Sequence, residues 1–408
     1  MNMPEHVVII GGGLAGAKTA QALREQGYGG AVTLVAAEAH APYERPPLSK
    51  SYLAGESTFD AATVQPTDWY DDHDVTLRQG VSATSIDTAG HRVGLDDGTT
   101  LNYDKLVLAT GSAVRRLPVP GADGDNVYYL RTVEDADAIR ATFGEGKRLV
   151  VIGGGWIGLE VAAVARSAGT EVTVLEGGAL PLLRVLGETV ARVFADLHRS
   201  HGVDMRTNVR ITEIMTDNGR ATGVQLEGGE TVQADAVVIG VGVTPVADIA
   251  EAAGLAVDNG VLVDSALRTS DPDVFAVGDI AHHDHPVMGR RVRVEHWANA
   301  LNQPTAVAAT LLGTATDYTE LPYFYTDQYD LGCEYIGNAT GVEQRVFVRG
   351  DLTTREFVAF WVDDALRITA AMNVNVWDVI DDVKPLIASG KIIDPQQLTD
   401  PTVPYAQL

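Results

Sequence analysis

Val7-Val8-Ile9-Ile10-Gly11-Gly12-Gly13-Leu14-Ala15-Gly16 joins an apolar run to a glycine turn, and the turn to a helix-forming segment. The same pattern returns as Leu149-Val150-Val151-Ile152-Gly153-Gly154-Gly155-Trp156-Ile157-Gly158. Each copy reads as strand, tight turn, helix. The first glycine (Gly11, Gly153) makes the turn, the third (Gly13, Gly155) lets backbone approach a pyrophosphate, and the sixth (Gly16, Gly158) lets the helix pack on the strand. The N-terminus of the helix then holds the negative phosphates. One such hexapeptide is weak evidence. Two of them, each in its strand–turn–helix context, imply two dinucleotides in one chain, and hence an enzyme that passes electrons between them.

Working outward, residues 15–26 read as the first helix with Gly27 as its stop, and residues 33–35 as the next strand. Residues 75–99 alternate like a small β-meander with Asp96-Asp97-Gly98 as a turn. Residues 105–109 form a buried parallel strand ending in Thr110-Gly111. Around the second turn, residues 148–152 and 171–175 are strands and residues 157–167 the helix, stopped by Gly169. Residues 237–242 form a buried strand with a glycine-rich end, and residues 274–277 another, ending at Gly278-Asp279. Beyond Pro322 the chain changes character. A hairpin-like pair covers residues 347–362, and a short helix covers residues 383–389, with Pro385 in its first turn and Gly390 as its stop.

Composition excludes several classes. The 408 residues are 45% hydrophobic and 21% charged, as in ordinary globular proteins. No apolar run reaches the roughly 18 residues of a membrane-spanning helix. The first strand starts at Val7, without a signal-peptide pattern, so a cytoplasmic location is expected. A formal charge of −25 argues against nucleic acid or an anionic membrane as a partner. No metal site is expected. The single cysteine, Cys333, allows no intrachain disulfide.

An acidic residue at the end of the second strand of such a unit accepts hydrogen bonds from a ribose 2′-hydroxyl and repels a 2′-phosphate. Glu176 directly follows residues 172–175, 18 positions after Gly158. This spacing favours NADH over NADPH. In the first unit Ala36 holds the corresponding position, and Glu38 is the nearest acid and the ribose candidate.

Thr110-Gly111 and Val277-Gly278-Asp279 resemble the two signatures of FAD-dependent reductases with two Rossmann-like domains. Tyr43-Glu44-Arg45-Pro46-Pro47-Leu48-Ser49-Lys50 looks like the active-site loop of the bacterial ferredoxin reductases that serve cytochrome P450s, ring-hydroxylating dioxygenases and rubredoxins. The blocks at residues 155–160, 294–300 and 322–330 match the same family, so the resemblance runs through nearly the whole chain. It implies that Asp279 binds the ribityl chain of FAD, that Thr110 and Gly111 turn beside FAD, and that Arg45 shapes the flavin loop. It implies a Lys50–Glu160 pair, with Lys50 as a cation near the flavin. Trp156 is expected to cover or gate the nicotinamide pocket, Trp297 to lie near the flavin ring, and Gly242 with Gly240 to allow close approach near NAD.

The implied architecture is α/β: two Rossmann-like domains of the glutathione-reductase type plus a C-terminal α+β domain. Residues 1–110 and 237–320 would form the FAD domain, 111–236 the NAD domain and 321–408 the third. The implied activity is NADH:ferredoxin reduction. A hydride passes to FAD and single electrons pass to a ferredoxin, expected to carry a [2Fe–2S] cluster, that feeds a P450 or another oxygenase. Disulfide reductases of this fold carry a cysteine pair beside the flavin, and the loop after the first unit here carries none. Two other readings remain open at this point: an NADH oxidase or diaphorase using oxygen or a quinone, and an NADH-responsive redox-sensing flavoprotein. Tyr323 and Tyr325 depart from the family, which usually has tryptophans in this block. Arg290, Arg291 and Arg293 are the best basic cluster for docking an acidic ferredoxin.

Overall fold

The computed structural model describes residues 3–339 and 345–408. The chain divides into two compact units. The first comprises Met1–Arg45, Phe59–Ala113 and Val243–Pro322. Its centre is a five-stranded sheet in the order Val274–Ala276, Lys105–Leu108, His6–Ile10, Ala31–Ala36, Val75–Gln79. All four pairings are parallel. Strands covered on both faces need continuous apolar runs, and Val7, Val8 and Ile9 are fully buried. Val75–Gln79 therefore belongs to this sheet and not to a meander. The meander is confined to Ala83–Asp87, Arg92–Leu95 and Thr100–Asn102. The alternation that marks a half-buried strand also fits an exposed edge of a parallel sheet.

Helix Leu14–Glu25 follows the first glycine turn. It ends in two bonds, Tyr28 N–H to the Leu23 carbonyl at 2.9 Å and Gly27 N–H to the Arg24 carbonyl at 3.0 Å. Gly27, at φ +81°, takes the left-handed residue that this terminus requires. Helix Trp156–Ser167 of the second unit ends identically, with Thr170 bonded to Ala165, Gly169 to Arg166, and Gly169 at φ +86°.

The second unit comprises Pro46–Thr58, Val114–Gly242 and Tyr323–Leu408. One sheet runs Asp204–Arg206, Glu171–Leu175, Arg148–Ile152, Ala236–Ile239, Val127–Tyr128, again all parallel. Ala236–Ile239 pairs with the strand that feeds the second glycine turn. The return to the first unit thus comes at Val243, after this strand, and not at residue 237. A second, antiparallel sheet runs Tyr323–Gln328, Leu331–Gly337, Ile368–Val374, Glu356–Val362, Arg345–Asp351. Helix Ile380–Ser389 is longer than its sequence pattern implies. Pro385 is its sixth residue, where it forgoes one helical bond, and Gly390 at φ +59° stops it. Among the described residues no helix is long and apolar enough to cross a membrane.

Candidate functional site

The glycines of the two turns divide into two kinds. A Cβ on Gly11 would lie 2.1 Å from the Ala109 carbonyl oxygen, and one on Gly16 1.9 Å from that of Gly11. In the second copy, a Cβ on Gly153 would lie 2.4 Å from the Gly240 oxygen and one on Gly158 2.2 Å from the Gly153 oxygen. These four are required by the protein's own backbone. Gly13 differs: a Cβ there would meet no heavy atom within 4 Å, and on Gly155 it would meet only the Gly240 oxygen, at 3.9 Å. The chain itself does not demand glycine at the third positions. Each opens a cradle at a helix N-terminus, where backbone N–H groups and the helix dipole favour phosphate oxygens.

In the first unit Glu38 accepts from the Tyr43 hydroxyl and pairs with the Arg45 guanidinium. That guanidinium also lies over the Tyr43 ring, 4.4 Å from its centre. His40 and Phe59 pack edge-on against the same ring. Thr110 donates to the Val246 carbonyl at 2.7 Å, and Gly111, at φ +66°, accepts from the Val246 N–H at 2.9 Å. Asp279 sits in a single 3-10 turn, Gly278–Ile280, directly after strand Val274–Ala276. Trp297 opens helix Trp297–Leu311 and donates its ring N–H to Glu44 at 3.2 Å. Of the arginine cluster, Arg293 is paired with an acid, while Arg291 is exposed and keeps its charge. Arg291 donates to the Val263 and His282 carbonyls, and Arg293, 10% exposed, pairs with Glu295 at 2.6 Å.

In the second unit Glu176 is mounted on two backbone amides, accepting from Gly154 at 2.7 Å and from Gly178 at 2.6 Å. Trp156, the first residue of its helix, packs against Phe194 and Phe324 at centroid distances of 5.5 and 5.0 Å. Gly242, at φ +100°, follows the glycine-rich end of strand Ala236–Ile239.

Lys50 and Glu160 come together. The Lys50 Nζ lies 2.8 Å from Glu160 Oε1, and Glu160 is 2% exposed. A buried carboxylate needs several donors, and Glu160 has them. The Ser49 hydroxyl donates to Oε2, and the Thr326 hydroxyl donates to Oε1 at 2.5 Å. The Tyr325 ring centre lies 5.4 Å from the Lys50 Nζ. Desolvation pushes the Asp327 carboxyl above its ordinary range, while the Lys50 charge pulls it down. The sequence reading assigned no role to Ser49 or Thr326, although both stand in quoted blocks. The available signal was the period-2 pattern of residues 323–328, which puts Thr326 and Gln328 on one face of a strand with polar side chains where apolar ones are usual.

Two family descriptions cover the chain: residues 5–303 match the pyridine nucleotide-disulphide oxidoreductase model and residues 323–408 the reductase C-terminal model. The chain belongs to the pyridine nucleotide-disulphide oxidoreductase family. Among the relatives of this oxidoreductase is the ferredoxin–NAD(+) reductase component of the anthranilate 1,2-dioxygenase system of Burkholderia cepacia. It is 44% identical over 97% of each chain. Putidaredoxin reductase of Pseudomonas putida is 40% identical over 100% of this chain and 97% of its own. Among solved structures, the covalent putidaredoxin reductase–putidaredoxin complex superposes with a TM-score of 0.95 at 39% identity, covering 100% of this chain and 98% of the other.

As a member of this oxidoreductase family the protein uses FAD and NAD(H). The two open cradles at Gly13 and Gly155 fit two pyrophosphates. The family's disulphide chemistry has no counterpart here. The only cysteine, Cys333, is 1% exposed, and burial pushes its thiol well above the usual range.

Proposed function

We propose that the protein is an NADH-dependent ferredoxin reductase that supplies single electrons to a [2Fe–2S]-type ferredoxin serving a cytochrome P450 or another oxygenase. The observation that carries this reading is the match, over nearly the whole length of both chains, to proteins named as ferredoxin reductases. The cytoplasmic setting expected from the sequence is part of the same reading.

Bound FAD would supply the chemistry that couples a two-electron hydride donor to one-electron acceptors. Everything else falls to this chain. The backbone at Gly11, Gly13 and Gly16 holds the FAD pyrophosphate, and Glu38, steadied by Arg45, meets the adenosine ribose. Asp279 takes the ribityl hydroxyls, while Thr110, Gly111 and Trp297 frame the flavin. The backbone at Gly153, Gly155 and Gly158 holds the pyrophosphate of NADH, Gly242 leaves room for its approach, and Trp156 covers the nicotinamide. Glu176 accepts from the adenosine ribose hydroxyls and opposes a 2′-phosphate by charge. Lys50 offsets the negative charge that the flavin gains on reduction, and Glu160 fixes Lys50. With no second thiol in the chain, electrons leave without a dithiol relay.

The test is steady-state cytochrome c reduction by the purified flavoprotein, with NADH or NADPH, with and without a small [2Fe–2S] ferredoxin. A large ferredoxin-dependent rate with NADH, and little with NADPH, is the expected result. A rate indifferent to several ferredoxins, together with fast consumption of oxygen or a quinone, overturns it.

A further inference from the structure

Behind the Lys50–Glu160 pair a line of buried polar side chains runs through the second unit. Gln328 Nε2 donates to Thr326 Oγ1 at 3.2 Å, and Gln328 Oε1 lies 2.8 Å from His198 Nε2. Thr326 and Gln328 are each 1% exposed and His198 is fully buried. They come from two different elements, strand Tyr323–Gln328 and helix Leu183–Ser200. We propose that His198, Gln328 and Thr326 form a positioning chain that fixes the Glu160 carboxylate, and through it the Lys50 ammonium, for hydride transfer from NADH. The proposal rests on the reductase reading of the same site.

The direction of every bond follows from the end that has no choice. An ionised carboxylate only accepts, so the Thr326 hydroxyl donates to Glu160. The Thr326 oxygen is then left to accept, which sets the amide nitrogen of Gln328 toward it and the amide oxygen toward His198. An amide oxygen also only accepts, so His198 carries its proton on Nε2. Its Nδ1 is buried and makes no hydrogen bond. Desolvation pushes the imidazole down to about 4, so at neutral pH the ring is uncharged and can only play this donor part. The donors therefore all point one way, from His198 to Glu160. With the Ser49 hydroxyl and the Lys50 ammonium, three donors converge on the carboxylate.

Such a chain is poorly explained as a device for stability alone. Buried polar networks of this kind are often no more stable than well-packed apolar residues of equal volume. What an apolar replacement cannot supply is a fixed orientation of the carboxylate plane. Without the Thr326 donor, Oε1 answers to Lys50 alone, and only the Ser49 hydroxyl on Oε2 is left to resist a turn of the carboxylate about its last torsion. The Lys50 charge then loses its fixed position. Glu160 would also cancel that charge less effectively, and the bound flavin would be easier to reduce at equilibrium while being reduced more slowly by NADH.

The experiment uses the FAD-loaded full chain as wild type, Thr326→Val, Thr326→Ser and Gln328→Leu. Anaerobic stopped-flow absorbance follows flavin reduction by NADH with no acceptor present, so no ferredoxin enters the measurement. The flavin midpoint potential is read separately against an indicator dye, without NADH. Thr326→Val is expected to lower the limiting reduction rate about 10-fold with the apparent Kd for NADH unchanged, and to move the potential positive. Thr326→Ser should restore both, and Gln328→Leu, one bond further away, should shift both in the same direction by less. Wild-type rate and potential in Thr326→Val or in Gln328→Leu overturn the proposal, as does a change in melting temperature with no change in potential. Failure of the wild type to reduce its flavin with NADH overturns the reductase reading instead.

Discussion

The two glycine turns are near copies in backbone and different in how each mounts its acidic residue. Both place the first and sixth glycines against a carbonyl oxygen that leaves no room for a Cβ. Glu176 is then held by two neutral backbone amides, whereas Glu38 is held by the Tyr43 hydroxyl and the charged Arg45 guanidinium. A carboxylate on rigid, uncharged donors keeps its full negative charge for the ligand. One paired with arginine has that charge largely cancelled. Under the proposed function, the second turn would discriminate against a 2′-phosphate and the first would hold a ribose without such discrimination.

The sharpest way to break the comparison is at the glycines. Gly16→Ala or Gly158→Ala puts a methyl about 2 Å from a carbonyl oxygen, so loss of soluble folded protein is expected, read by circular dichroism. Gly13→Ala should fold with an unchanged far-ultraviolet spectrum and be purified colourless, and Gly155→Ala should stay yellow while losing NADH affinity. Equal damage at third and sixth positions would remove the distinction between them.

Next in size is the buried Lys50–Glu160 ion pair of the second unit. Glu160→Ala leaves the largely buried Lys50 without its ion-pair partner and with only the attraction of Asp327, a change that costs up to about 3–5 kcal/mol. A clear fall in calorimetric melting temperature is expected, and Lys50→Met should fall less, because Glu160 keeps the Ser49 and Thr326 donors.

Each unit also buries a neutral histidine. His283 in the first and His198 in the second are pushed down to about 4, chiefly by desolvation. The unfolded chain takes up these protons near pH 6.5, and the folded chain does so only near pH 4. Stability is therefore lost as pH falls through that window, by roughly 3 kcal/mol for each ring. His283→Gln should flatten the fall in melting temperature between pH 6.5 and 4, and an unchanged slope would count against it.

The smallest effect bears most directly on the comparison. Glu176→Ala should lower kcat/KM for NADH about 10- to 100-fold, as expected for hydrogen bonds to a charged group worth roughly 1.5–3 kcal/mol. It should also narrow the preference for NADH over NADPH. Glu38→Ala should weaken FAD retention and leave the nicotinamide preference where it was.

Most of the fold was legible because its decisive elements are local. An apolar run, a glycine turn and a helix stop sit within 25 residues in each copy, and the residues at Gly27 and Gly169 behave as their position demands. Strand Val75–Gln79 and the late return at Val243 were not legible, since both depend on which distant strand offers an open edge. At the site, the position of Glu176 directly after its strand was readable from spacing, and the Lys50–Glu160 pair only through resemblance. Ser49, Thr326, Gln328 and His198 were not readable, because a hydroxyl or an imidazole shows its partner only once the strands and helices are assembled.

The first sheet is completed by Val274–Ala276, a strand that pairs with Lys105–Leu108 across the whole intervening second glycine unit. On the ribosome the chain emerges from its N-terminus, so the parallel sheet of residues 127–239 has all its strands out before the earlier sheet has its last. Of the two parallel sheets, the one that begins synthesis is therefore the one completed later. Until Val274 clears the exit tunnel, Lys105–Leu108 presents an open edge that is apolar from Leu106 to Leu108. Premature termination between residues 240 and 270 would release a chain whose second parallel sheet is complete and whose first, lacking its last strand, is a template for aggregation.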